Sequence, residues 1–124
     1  MLTDRGLEPA LRVVMSRVPV PVTLEVDAAE RLPPAVETAA YFVVSEALAN
    51  VAKYARASEA SVAVRRTNGR VLVEVADDGV GGADAAGGSG LRGLADRVAA
   101  LDGTLALDSP AGRGTRLRAE IPLS

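Results

Sequence analysis

The fold is decided by the segment Glu59-Ala-Ser-Val-Ala-Val-Arg-Arg-Thr67-Asn68-Gly69-Arg70-Val-Leu-Val-Glu-Val-Ala76. Apolar and polar residues alternate over 59–67, which is the period of a half-buried strand. Asn68-Gly69 favours the tight turn of a two-residue β-hairpin, because both residues tolerate a left-handed backbone. Residues 70–76 then form the partner strand. The segment therefore predicts an antiparallel hairpin at the centre of the domain.

Helices and strands are predicted on both sides of this hairpin from apolar periodicity and from proline and glycine punctuation. The expected elements are a helix over 7–18, a strand over 20–26, a helix from 35 to about 56, a helix over 91–101 capped by Gly103, and strands over 104–108 and 115–123. The apolar stripe of the long helix comprises Tyr41, Val44, Leu48, Val51 and Ala55. Helices and strands do not strictly alternate, so the order favours an α+β fold with a mixed sheet and helices on one face.

Composition narrows the function classes. The 124 residues carry a net charge of −2 and contain neither cysteine nor histidine. Disulfides, thiolate metal sites, most zinc sites and histidine-dependent hydrolases are thereby excluded. A general nucleic-acid surface would need a basic patch, and a membrane span would need about 20 apolar residues. We expect a single cytoplasmic domain over 1–124 that is a piece of a longer protein.

The long helix carries a polar stripe. At 100° per residue, Glu46, Asn50 and Lys53 fall within about 60° of one another around its axis. An amide oxygen suits magnesium, an ammonium meets phosphate oxygens, and a carboxylate can accept a proton. The alternative is a solvated helix face with a Glu–Lys pair, although Phe42 on the same stripe favours a half-apolar cleft.

Three glycine-containing segments follow the hairpin. Asp77, at the end of a strand, can accept a hydrogen bond from an exocyclic amine, and Gly79 and Gly81 allow a planar base to approach the backbone; an ordinary Asp-Gly turn is the alternative. Residues 88–93 read G-x-G-x-x-G and open a helix, where phosphates bind readily. A dinucleotide-binding fold is disfavoured because about ten loop residues separate strand and motif, and a Walker loop because no lysine follows the last glycine.

Taken together, the motifs resemble the ATP-binding catalytic domain of two-component sensor histidine kinases, within the wider gyrase, Hsp90 and MutL group. The resemblance covers about residues 30–123. The small, glycine-rich residues 82–88 are expected to form a lid over a ligand, and this short lid resembles that of the nitrate- and membrane-fluidity-sensor branch. Glu46-Ala-Leu-Ala-Asn50-Val-Ala-Lys53 resembles the N box of that family, and Asp77-Asp-Gly79-Val-Gly81 resembles its G1 box. Gly88-Ser-Gly90-Leu-Arg-Gly93 resembles the G2 box, and Gly112-Arg-Gly-Thr115 resembles the late Gly-x-Gly-Thr element.

The resemblance implies a Bergerat-type fold, a two-layer sandwich with a mixed, mostly antiparallel sheet and about three helices on one face. ATP would lie between the long helix and the lid, with Asn50 holding Mg²⁺ and Glu46 assisting proton transfer. The further nucleotide-binding residues that it implies are Lys53 at the phosphates, Asp77 at the adenine amine, Gly79 and Gly81 at the base, Gly88, Gly90, Leu91 and Gly93 at the phosphate end, and Thr115 on the adenine side.

The resemblance also implies partners. A histidine kinase phosphorylates a histidine on a separate dimerisation domain and passes the phosphoryl group to a response regulator. The full-length protein would be a homodimer, with or without a membrane anchor, and the acceptor helices would precede Met1. Two alternatives stay open, a serine kinase of the anti-sigma-factor type and a non-catalytic ATP-binding regulatory module.

Overall fold

A computed structural model describes residues 7–27, 32–51, 58–79, 89–108 and 114–123. Within these ranges the chain forms three helices and five strands in the predicted order. The helices are α1 (Leu7–Met15), α2 (Pro34–Asn50) and α3 (Ser89–Ala99), and the strands are β1 (Val22–Asp27), β2 (Ala60–Thr67), β3 (Arg70–Asp77), β4 (Thr104–Asp108) and β5 (Thr115–Pro122).

The helix ends deviate most from expectation. α1 stops three residues early, and α3 begins and ends two residues before the predicted bounds. The described part of α2 ends at Asn50, although the Val51 N–H still bonds to the carbonyls of Ala47 and Leu48. Its expected continuation over 52–56 lies outside the described residues. None of the helices in the described ranges is both long enough and apolar enough to cross a bilayer.

The five strands form one mixed sheet with the order β1-β2-β3-β5-β4. β1 and β2 are parallel, and every other neighbouring pair is antiparallel. The predicted hairpin is confirmed, because β2 and β3 pair across a turn in which Asn68 and Gly69 have φ values of 52° and 74°. Two consecutive left-handed residues are what a type I′ hairpin requires.

One face of the sheet carries the core. The valines at 62, 64, 71, 73 and 75 alternate with exposed or half-buried residues, as do Leu117, Ala119 and Ile121 on β5. All eight side chains are buried, and the helices cover them from one side with residues such as Leu11, Val44, Leu48 and Val98. The predicted two-layer α+β fold is therefore confirmed.

The opposite face of the sheet is lined with charged residues that pair between neighbouring strands. Arg65 bonds to Glu25 at 3.2 Å and Arg118 to Glu74 at 2.9 Å, and Arg70 pairs with Glu120. Because these side chains remain largely exposed to water, each pair contributes only about 0.2–1 kcal/mol. Their main effect is to keep this face solvated.

The directions of the strands determine at which end of the sheet the described part of α2 ends. We call the end of the sheet where Ala60, Asp77 and Thr115 are register neighbours the Asp77 end. β1 starts there, because Val22 pairs with Ala60. α2 follows β1 at the far end and returns over about 26 Å, which matches the length of an eight-residue strand. Asn50, the last residue of the described part of α2, therefore lies at the Asp77 end.

α3 runs antiparallel to α2. It ends next to Gly103, where an added Cβ would lie 2.6 Å from the Glu120 carbonyl oxygen, at the far end of β5. The Arg97 guanidinium of α3 lies 4.1 Å from the ring centroid of Phe42 on α2. Phe42 lies two turns before the end of α2, and Arg97 two turns after the start of α3. The N-terminus of α3 therefore lies at the Asp77 end.

The end of α3 has the pattern of a Schellman motif. The Asp102 N–H bonds to the Ala99 carbonyl at 2.9 Å and the Gly103 N–H to the Val98 carbonyl at 3.0 Å. The left-handed residue is Asp102, with φ of 61°, so the expectation that Gly103 supplies the cap conformation is wrong. Gly103 is instead required by space, since its Cβ would lie 2.9 Å from Val98 Cγ1 as well as against Glu120.

We predict that Gly103→Ala destabilises the domain by about 1–3 kcal/mol, because the added methyl has to displace backbone. Asp102→Gly is the matched control, since glycine removes the left-handed side chain and should leave the melting temperature equal or higher. Thermal unfolding followed by circular dichroism measures both. An unchanged melting temperature for Gly103→Ala would contradict the packing argument.

Candidate functional site

Asp77 and Thr115 lie side by side on the helix-covered face of the sheet. They are register partners, the last residue of β3 and the first of β5. Asp77 continues the alternation of Val71, Val73 and Val75, and Thr115 that of the buried β5 residues, so both side chains point toward the helical layer. Both are half-buried. This places a carboxylate and a hydroxyl at one end of the helix–sheet interface.

The Asp77 carboxylate is held by the turn that follows it. Its Oδ1 accepts the Gly79 N–H at 2.8 Å, the pattern of an Asx turn. Gly79 is itself buried. One carboxylate oxygen is thereby fixed on the backbone, which orients the group at the strand end. Gly81, the second glycine of this motif, lies outside the described residues.

Gly114 belongs to the Gly-x-Gly-Thr segment and lies directly against the Asp77–Gly81 segment. Its φ is +82°, and a Cβ on it would lie 2.2 Å from the Asp77 carbonyl oxygen and 3.2 Å from the Asp78 Cα. A side chain at this position is excluded both by the left-handed backbone and by the neighbouring chain. The start of β5 therefore passes against the Asp77–Asp78 peptide only because residue 114 is glycine.

The predicted polar stripe of α2 is described in part. Glu46 and Asn50 lie one turn apart and are both half-buried, and Asn50 lies at the Asp77 end. Lys53 lies outside the described residues. Phe42, on the same stripe, is 39% exposed. Its ring lies edge-on to the Tyr41 ring, with 5.7 Å between the ring centroids, and it also contacts the Arg97 guanidinium. The stripe thus begins in a helix–helix contact and ends beside the sheet.

The start of α3 supplies backbone donors. The first N–H groups of a helix have no partner within it, and here they belong to residues 89–92, which include Gly90 and directly precede Gly93. Gly93 is exposed, and a Cβ on it would meet nothing within 4 Å. Packing therefore does not require this glycine. Gly88 and the Leu91 side chain lie outside the described part of the chain.

Sequence reasoning missed Asp78. Its Oδ1 accepts the N–H groups of Ser58 at 2.8 Å and Glu59 at 3.1 Å, and its Oδ2 accepts the Ser58 hydroxyl. The Asp78 N–H donates in return to the Glu59 carbonyl at 3.4 Å. We call these four hydrogen bonds the Asp78 latch. The Ser58 hydroxyl, then the Glu59 and Ser58 amides, hold the pKa of the Asp78 carboxyl below its ordinary value.

Oxygen ligands for a metal are sparse in this region. Within the described ranges, no group of three or more acidic, histidine or cysteine side chains could hold a metal ion. Magnesium does not need such a group, since it commonly takes one or two protein oxygens and completes its shell with water and phosphate oxygens. Asn50, half-buried at the Asp77 end, and Glu46 one turn before it fit that requirement.

The fold thus brings four separate parts of the chain to one end of one sheet. Asn50 ends the described part of α2, Asp77 ends β3, Thr115 begins β5, and the first N–H groups of α3 lie there too. A fixed carboxylate suits a base amine, and helix N-terminal amides suit phosphate. On a two-layer α+β scaffold, this set defines a nucleotide-binding ATPase domain.

The comparison with known families agrees with this class. Residues 35–124 match the family described as histidine kinase-, DNA gyrase B- and HSP90-like ATPases, and the chain belongs to that family. The resemblance identified from the four motifs is therefore confirmed.

Individual relatives are histidine kinases. The chain is 34% identical to the oxygen sensor histidine kinase NreB of Staphylococcus carnosus over 99% of its own length, and 34% identical to the histidine-protein kinase/phosphatase DegS of Bacillus subtilis over 77%. It spans only 38% and 26% of those proteins. Among solved structures, the chain is similar to a blue-light activated histidine kinase of Erythrobacter litoralis, with a TM-score of 0.80 and 26% sequence identity. The match covers 94% of this chain and 40% of the chain of that kinase.

We predict that Gly93→Ala separates stability from ligand binding. Alanine in place of glycine within a helix should stabilise the domain by about 1 kcal/mol, because nothing obstructs the added methyl. If Gly93 contacts bound phosphate, as the resemblance implies, the same methyl should lower the ATP affinity. Calorimetric titration together with thermal unfolding measures both quantities.

Ala99→Gly, an exposed position in the last turn of the same helix, is the control for Gly93→Ala. It should lower the melting temperature without changing ATP affinity. A stabilised Gly93→Ala variant that binds ATP as tightly as the unsubstituted chain would remove Gly93 from the set of ligand contacts.

Proposed function

We propose that the chain is the Mg-ATP-binding catalytic domain of a two-component sensor histidine kinase. It transfers the γ-phosphoryl group of ATP to a histidine on a separate dimerisation domain, for relay to a response regulator. The observation that carries the proposal is the convergence of Asn50, Asp77, Thr115 and the α3 N-terminus at the Asp77 end. Membership of the ATPase family and two relatives named as histidine kinases support it.

The adenine end of the site is assigned to Asp77. One of its oxygens accepts the Gly79 N–H, so the other is the acceptor for the adenine amino group. Gly79 and Gly81 shape the base pocket, since glycine lets the ring lie against the backbone. Thr115, the register partner of Asp77, supports the same side of the base.

The phosphate end is assigned to the facing helix ends. The Asn50 amide oxygen would hold Mg²⁺, and Lys53 would contact phosphate. Mg²⁺, when bound, neutralises charge on the phosphate oxygens. The amides near Gly88, Gly90, Leu91 and Gly93 bind the phosphates. Glu46, one turn before Asn50, accepts the proton that the acceptor loses in phosphoryl transfer.

The acceptor has to come from another segment or chain, because none of the 124 residues is histidine. The chain spans well under half of NreB and DegS, which leaves room in such a protein for an acceptor and for sensing regions. We propose a homodimeric full-length kinase, with or without a membrane anchor, whose catalytic domain acts in the cytoplasm. The phosphoryl group on the acceptor histidine would then pass to a response regulator.

We predict that Asp77→Asn weakens ATP binding at least about tenfold, or about 1.4 kcal/mol. The carboxylate serves two donors, the Gly79 N–H and the adenine amine, and asparagine has only one oxygen for both. Isothermal titration calorimetry at fixed magnesium measures the loss. Asp108→Asn is the control, because that exposed carboxylate points away from the helical layer at the same end of the sheet. Equal affinities for Asp77→Asn and the unsubstituted chain would remove Asp77 from the base pocket.

The catalytic claim is tested by phosphotransfer. The domain is incubated with γ-labelled ATP and a separately prepared acceptor-helix fragment from a histidine kinase of the same branch. We expect magnesium-dependent label on the fragment that is acid-labile and alkali-stable, as phosphohistidine is. A histidine-to-alanine fragment and a sample with chelator are the controls.

Acid-stable label on serine would instead indicate the serine kinase alternative. ATP binding without transfer to the fragment, under conditions where an authentic catalytic domain does transfer, would favour the regulatory module.

A further inference from the structure

The Asp78 latch joins the two strands next to the proposed adenine site. The hairpin register pairs Ala60 with Asp77, so Glu59 and Asp78 face each other one step beyond the last strand pair. At that step the backbone supplies one hydrogen bond, from the Asp78 N–H to the Glu59 carbonyl. The Glu59 and Ser58 N–H groups go instead to the Asp78 carboxylate. The side chain thus prolongs the ladder past the end of the sheet.

The same stretch of backbone is confined from the other side. Gly114 lies so close to it that a Cβ there would be 3.1 Å from the Asp77 carbonyl carbon and 3.2 Å from the Asp78 Cα. On the β5 side Gly114 packs closely against this peptide next to the Asp77–Thr115 strand pair, whereas on the β2 side the Asp78 carboxylate adds hydrogen bonds to Ser58 and Glu59. Loss of the Asp78 carboxylate therefore removes three hydrogen bonds on the β2 side and leaves the backbone bond from Asp78 to Glu59 in place.

We propose that Asp78 is a positioning residue for adenine recognition. By fixing the backbone on which Asp77 and Gly79 stand, it sets where the Asp77 carboxylate meets the base, and it does not itself touch the nucleotide. This inference rests on the proposed function, in which Asp77 accepts the adenine amino group. It also links the chain before β2 to the chain after Asp77, because Ser58 and Glu59 directly precede β2.

The charge of Asp78 suits this role. Hydrogen bonds from Ser58 and Glu59 lower the pKa of its carboxyl, so the latch favours the ionised form. A carboxyl whose pKa is depressed by folding stabilises the fold above its ordinary pKa near 4, and this contribution is lost as the pH falls through the lowered value. The latch is therefore complete at neutral pH. Exposure to solvent lets an asparagine keep part of it, since its amide oxygen still accepts N–H groups.

The test compares two nucleotides that differ at the group Asp77 recognises. Inosine triphosphate carries a carbonyl where ATP carries the amino group, so the ratio of ATP to inosine triphosphate affinity reports how well Asp77 is placed. Affinities are measured calorimetrically, well below the unfolding midpoint, for the unsubstituted chain, Asp78→Ala, Asp78→Asn and Ser58→Ala. Asp108→Ala, an exposed carboxylate outside the latch, is the matched control.

We expect Asp78→Ala to weaken ATP binding about tenfold while inosine triphosphate binding changes little, so that the affinity ratio collapses. Asp78→Asn should restore part of the ratio, Ser58→Ala should lower it less than Asp78→Ala does, and Asp108→Ala should keep it. If Asp78→Ala does not fold, Asp78→Asn and Ser58→Ala carry the test, because each removes only part of the latch.

An Asp78→Ala variant that loses equal affinity for both nucleotides would overturn the inference, since a general loss of structure has that effect. An unchanged ATP affinity would overturn it as well. These outcomes leave the proposed function standing, because the unsubstituted chain still binds ATP with a preference over inosine triphosphate. An unsubstituted chain that binds no ATP would instead reject the proposed function, and the role of Asp78 with it.

Discussion

The close passage of the Gly114 backbone over the Asp77–Asp78 peptide is the constraint on which the candidate site depends. It lets β5 begin beside the end of β3, which makes Thr115 the neighbour of Asp77. If β5 began elsewhere, β4 and α3 would move with it, and the helix N-terminus would no longer lie at this end of the sheet. A single position without a side chain thus holds two of the four motifs together, and α2 brings the third from the opposite layer.

Most of the fold follows from local signals in the sequence. The Asn68-Gly69 turn and the alternation on either side of it suffice to predict the central hairpin, because turn type sets the register. The helix ends are less predictable. α1 stops at Met15 with tighter i→i+3 bonds, ahead of Pro19, and α3 ends on a left-handed Asp102 where glycine was expected to take that conformation. Both outcomes depend on tertiary space, which periodicity does not report.

The candidate site also has features that the sequence predicts and features that it does not. The residue types of the four motifs indicated ATP chemistry, yet their meeting at one end of the sheet follows only from strand order and direction. Asp78 could have been found earlier, since a hairpin turning at residues 68 and 69 pairs 60 with 77 and therefore places 59 opposite 78. Its carboxylate then had amides within reach. The approach of Gly114 could not be predicted, because it depends on the pairing of β3 with β5, which are separated by residues 78–114.

The charged outer face of the sheet has a consequence for how the domain meets its neighbours. The pairs Arg65–Glu25, Arg118–Glu74 and Arg70–Glu120 are already neutralised within the chain, and each is still hydrated. A flat apolar partner packed over them would remove their hydration water without supplying new hydrogen bonds. The free-energy penalty of this desolvation exceeds the stabilisation from the apolar contact. This surface therefore disfavours a flat apolar partner.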